Sequence, residues 1–65
     1  MPRLENWIIR WDNKIIGDIY DDKRFPDGHQ VLTSPVVECK KDVFGQMFEA
    51  TTKSGTVYLL GKKYE

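Results

Sequence analysis

Apolar residues along this chain recur at every second position far more often than at every third or fourth, and the β-branched and aromatic ones fall between short polar turn signals. Period two predicts strands, with helix absent or limited to one turn. The first predicted strand runs from Asn6 to Trp11, with Trp7, Ile9 and Trp11 on one face and Ile8 and Arg10 on the other. A stripe of two indoles and an isoleucine is expected to be buried. Asp12 and Asn13 tolerate left-handed backbone and suit a two-residue hairpin, after which Ile15, Ile16, Ile19 and Tyr20 resume the apolar run. Gly17 interrupts this second strand and marks a bulge or a close approach of another backbone.

From Asp21 to His29 the chain is polar and irregular, with Pro26 at the second and Gly28 at the fourth position of a turn. Val31 to Thr33 and Val36 to Lys40 read as extended, and Pro35 between them, which has no amide to donate, marks a bend, an edge or a strand switch. Lys41 and Asp42 form the next turn, and Val43 to Thr51 a longer strand with Gly45 as a second bend. Lys53, Ser54 and Gly55 make a three-residue hairpin loop with glycine in the left-handed position, leading into Thr56 to Leu60. Residues 62–65 are free to fray.

These elements predict an all-β domain: a small, strongly bent antiparallel sheet of five or six strands, closed as an SH3-like barrel because closure removes exposed edges. The rival is an open sheet completed by a second subunit. Sixty-five residues hold one core, so residues 1–65 form a single domain. At this length apolar burial barely offsets chain entropy, and a partner, a metal, a disulfide or very good packing must make up the difference.

Cys39 is the only cysteine, which rules out an internal disulfide, suits a reducing compartment and points to a cytoplasmic protein. Its apolar strand context predicts a small buried hydrophobe rather than a nucleophile. No apolar run nears the 18 or so residues of a membrane helix, so no membrane association is expected. Ten Lys plus Arg balance ten Asp plus Glu, and no net field draws the chain to phosphate.

No catalytic pattern emerges, and no cofactor or metal is expected. Asp18, Asp21, Asp22 and Asp27 crowd one stretch, but Lys23, Arg24 and Phe25 break the alternation that a calcium loop needs. His29 is the only histidine and cannot build a zinc site with one cysteine. Ser34 lacks the glycine elbow of a nucleophilic serine, and the glycines are scattered singly rather than gathered to cradle phosphate.

The expected function is therefore that of a non-enzymatic binding module acting on another protein or on its own copy. Adjacent apolar pairs carry this expectation: Ile8 with Ile9, Ile15 with Ile16, Val36 with Val37, Met47 with Phe48, and Leu59 with Leu60 point to opposite sides of a strand, and only one of each pair can enter the core. The candidate contact residues are Arg24, Phe25, Asp27 and His29 of the long loop, with Trp11 and Tyr20. Two alternatives stand beside it. One is a single-stranded nucleic-acid binder using Arg24, Lys40, Lys41, Lys53, Lys62 and Lys63, and the other is an enzyme whose site is shared between subunits.

Overall fold

A computed structural model covering residues 1–65 shows six strands and no helix: β1 (Arg3–Ile9), β2 (Ile15–Tyr20), β3 (His29–Leu32), β4 (Val36–Lys41), β5 (Met47–Thr52) and β6 (Val57–Leu60). They form one sheet in the order β3-β2-β1-β6-β5-β4. Two antiparallel meanders, β1 to β3 and β4 to β6, lie side by side, and the seam between them is a parallel pairing of β1 with β6. The expectation of purely antiparallel pairing is corrected at this seam. Nothing local in Arg3–Ile9 or Val57–Leu60 encodes which distant strand becomes a neighbour.

No ladder joins β3 to β4, so the sheet is open and the expected closed barrel is not formed by hydrogen bonding. The Thr33–Pro35 corner nonetheless carries the chain from one edge to the other. Thr33 donates its amide to the Ile15 carbonyl and accepts the Ile15 amide on its hydroxyl, at 2.8 and 3.0 Å. Val36 donates to the Asn13 carbonyl and accepts from the Asn13 side-chain amide. Pro35, with no N–H to leave unpaired, sits where the chain leaves one ladder for the other.

The core is Leu4, Trp7, Ile15, Ile19, Ala50, Tyr58 and Leu60, with Val31, Val36 and Met47 packed against it. The inward residues alternate along β2 as a half-buried strand requires. Gly17 is where the sheet bends. Asn6 and Trp7 stand opposite it as a bulge in β1, with Asn6 in the left-handed region at φ 50°. A side chain at Gly17 would meet the Trp7 Cβ at 3.0 Å and the Glu5 carbonyl at 3.3 Å. The glycine therefore lets the other strand bulge and turn its indole into the core. Trp7 Nε1 then donates to the Gly61 carbonyl at 3.1 Å, so the buried ring leaves no donor unpaired.

Three of the turns share one design. Arg10, Asp42 and Thr52 each accept a hydrogen bond from the residue three ahead and donate one to the carbonyl four ahead. The residues three ahead, Asn13, Gly45 and Gly55, have φ of 68°, 80° and 89°. This is a three-residue loop closed by a left-handed residue. The Lys53–Gly55 loop forms as expected. The other two correct the sequence reading, since Trp11 belongs to a turn rather than to the first strand, and Val43 to Gly45 form a loop rather than the start of a strand. In the long loop the tight turn is also displaced by one residue, with His29 donating to the Pro26 carbonyl and Gly28 in the left-handed position.

The tail beyond β6 runs beside β1. Trp7 bridges Lys63 in parallel, and Tyr64 donates its amide to the Trp7 carbonyl at 2.9 Å. The Glu5 carboxylate accepts from the Lys62 amide and from Arg3 Nε, both at 2.7 Å.

Candidate binding surface

The six residues singled out from the sequence separate into two places. Trp11 caps the β1–β2 turn, while Tyr20 closes the far end of β2, roughly 17 Å of strand away. The long loop starts beside Tyr20 and gathers Arg24, Phe25 and His29 into one stack. The Phe25 and His29 rings lie 5.5 Å apart and nearly parallel, and the Arg24 guanidinium sits 5.5 Å from the Phe25 centroid. Asp27 accepts the Asp21 amide, and Arg3 covers the Tyr20 ring at 4.8 Å.

Most of this chemistry is spent inside the loop. Arg24 grips Asp22 through Nε and Nη2, the shortest contact being 2.7 Å, and its Nη2 reaches the Tyr58 hydroxyl at 3.5 Å. The side-chain hydrogen bond from Arg24, reinforced by the Arg24 amide, holds the Asp22 carboxyl below the usual carboxylate range. Asp22 in return raises the guanidinium further above its already high value. The remaining crowded carboxylates have local partners as well, Asp18 with Asn6 and Asp21 with Arg3. No three His, Cys, Asp or Glu side chains converge as metal ligands do.

The largest unused apolar area lies elsewhere. Trp11, Val43 and Phe44 are each more than nine-tenths exposed. All three sit on the first and second of the matched turns. The third turn adopts the same backbone with Lys53 and Ser54 at the corresponding positions. The turn itself therefore does not demand an aromatic or branched side chain, and the bulk at Trp11, Val43 and Phe44 answers no local conformational need.

Between these two apolar turns runs a groove of about 260 Å³ whose apolar wall is Ile9, Val36, Val37, Cys39 and Met47. Trp11 follows Ile9 by two residues, and the Val43–Gly45 loop joins Lys41 to Met47, which both line the groove. The groove opens along β4, where every residue after Val36 is exposed. Exposure runs without interruption from Val37 to Gln46. Cys39, expected to be buried, is exposed there, because β4 is an edge strand with only β5 beside it.

A second apolar strip crosses the outer face where Ile8, Ile16 and Leu32 stand in register across β1, β2 and β3. Ile8 and Ile16 line a shallow hollow there with Tyr64. Here the expected opposition of adjacent apolar residues holds, since Ile15 is fully buried and Ile16 only half so. Phe25 does not line that hollow, and its ring is stacked on His29.

Sequence reasoning missed Val43 and Phe44 as surface residues. The signal was present in Asp42, whose side chain accepts the Phe44 and Gln46 amides, and in Gly45 three residues beyond it. A scan against family models finds no match, and searches of curated proteins and of solved structures likewise find no significant one.

Proposed function

We propose that this chain is a small, non-enzymatic binding module that works by protein–protein contact through the groove beside β4 and the two apolar turns flanking it. One observation carries the reading: of three turns with the same backbone, the two beside the groove present Trp11, Val43 and Phe44 to solvent. Exposed aromatics around an apolar depression are the usual anchors of a protein contact. We read the scaffold as an SH3-like barrel left open at the seam between β3 and β4, which keeps β4 accessible on its outer side. A cytoplasmic setting, where Cys39 stays reduced, suits this reading.

The experiment compares the wild type with Trp11→Lys/Phe44→Ser as baits against the same lysate. Unfolding midpoints are expected to agree, since exposed substitutions cost within about 0.5 kcal/mol. Proteins retained by the wild type are expected to be lost by the double variant and kept by Lys53→Ala. Equal retention by both baits defeats the proposal. Exposed rings could also stack on bases, and nuclease treatment with a salt series separates that case, because phosphate contacts weaken steeply with salt. Against it, Arg24 and Lys40 of the basic set are engaged with Asp22 and Glu49.

A further inference from the structure

We propose that the free edge of β4 is occupied by a second copy of this chain, paired antiparallel about a two-fold axis through Cys39. This rests on the binding-module reading above and names the partner at one part of the surface.

The first argument is the shape of the edge. Two bulges interrupt the pairing of β4 with β5, one between Val36 and Glu38 and one between Lys40 and Lys41. The regular stretch between them is Glu38, Cys39 and Lys40, facing Thr51, Ala50 and Glu49. Val36 is already engaged with Asn13 through both its amide and its carbonyl, so an added strand can begin only after it. The flat, open part of the edge is thus short and centred on one residue.

The second argument is charge. With Cys39 opposite its own copy, Glu38 of each chain stands opposite Lys40 of the other, giving two identical cross-strand pairs of opposite sign. Lys40 also contacts Glu49 of its own β5 at 3.2 Å, so the row across the joined sheets would alternate in sign. Pairing offset by two residues destroys this, because Glu38 would then face Glu38 or Lys40 would face Lys40, and an offset of one sets side chains from opposite faces against each other, which the two-fold forbids. A parallel arrangement in register sets Glu38 against Glu38. The sequence around Cys39 is thus complementary to itself in one orientation and one register.

The third argument is what the pairing covers. Cys39 pairs with Ala50, a core residue, and so lies on the same side of the sheet as the groove. The same two-fold places Val37 against the aliphatic stem of the other chain's Lys41, over the apolar groove. One face of the contact is thus ionic and the other apolar.

Sedimentation equilibrium of the full chain up to millimolar concentration gives the first readout, and a monomer–dimer equilibrium is expected. Glu38→Lys and Lys40→Glu, each alone, turn both cross-strand pairs repulsive and should weaken the dimer about tenfold. Mixing the two variants makes both pairs attractive again and should restore association, which also shows that each variant is folded. Directly opposed residues of antiparallel strands lie within disulfide range. Diamide, taking up two electrons and two protons from two thiols, should therefore form an S–S dimer through Cys39, and Cys39→Ser should abolish it.

A wild type that stays monomeric throughout overturns the second copy as occupant while leaving the capture experiment on Trp11 and Phe44 to decide the broader reading. A dimer indifferent to both charge reversals, or one that resists crosslinking at Cys39, overturns this register.

Discussion

The β1–β2 and β4–β5 hairpins turn on the same three-residue loop, yet they live in different surroundings. In the first, burial begins at the first residue of the returning strand, where Ile15 is inaccessible, and Trp7 fills the bend. In the second, ten consecutive residues from Val37 to Gln46 are exposed, and burial resumes fully only at Ala50. Turn geometry is thus indifferent to whether a hairpin is core or surface. What separates the two is whether a neighbouring strand lies on each side. β1 and β2 are flanked on both sides, whereas β4 ends the sheet. An isolated two-stranded ribbon is marginal in water, so the outer hairpin depends on β6 beside β5, while β4 has on its other side only the Val36–Asn13 hydrogen bonds at its start.

The contrast can be broken most forcefully at Trp7. Trp7→Ala should cost about 3–5 kcal/mol, comparable to the whole stability of a small domain, and leave the chain largely unfolded by circular dichroism. Next comes Gly17→Val, expected to cost about 1–3 kcal/mol in urea titrations because the added carbons press on the Trp7 backbone and the Glu5 carbonyl. Gly45→Ala tests the outer hairpin in the same assay. No atom lies within reach of a side chain there, so the expected loss of about 1 kcal/mol is conformational, from the left-handed backbone alone.

The smallest effect is expected at Asp22, outside both hairpins. Its carboxyl is held below the ordinary value in the folded state, so its contribution is present above the unfolded carboxylate range near pH 4 and is lost as pH falls through the lowered value. Thermal melts of wild type and Asp22→Asn should therefore differ at neutral pH and converge in strong acid. Curves that stay parallel throughout would place the Asp22 contribution outside its ionisation.

The all-β class and the third turn were legible because alternation and a Ser-Gly loop are local signals. Gly17 was legible as a bend, although the bulge it permits lies in the strand opposite. Val43 and Phe44 were misread because branched and aromatic residues imitate a strand when they stand in a turn, and their bulk outweighed the Asp42 and Gly45 signal. Trp11 was misread for the same reason, through its spacing from Trp7. The parallel seam between β1 and β6 and the edge position of β4 are properties of the assembled sheet, and no window of the sequence contains them. The candidate surface therefore emerged only when the strand order was known.

The indole of Trp7 depends on the carbonyl of Gly61, and β1 on β6, across nearly the whole span of the polypeptide. A chain emerging from a ribosome cannot complete this interior until residues 57–64 have cleared the exit tunnel. Until then the earliest apolar segment waits without its neighbour. Every other pairing joins strands that follow one another, so this seam is the one step that must wait for a distant segment, and the interval before it closes leaves the apolar sides of both meanders open to aggregation.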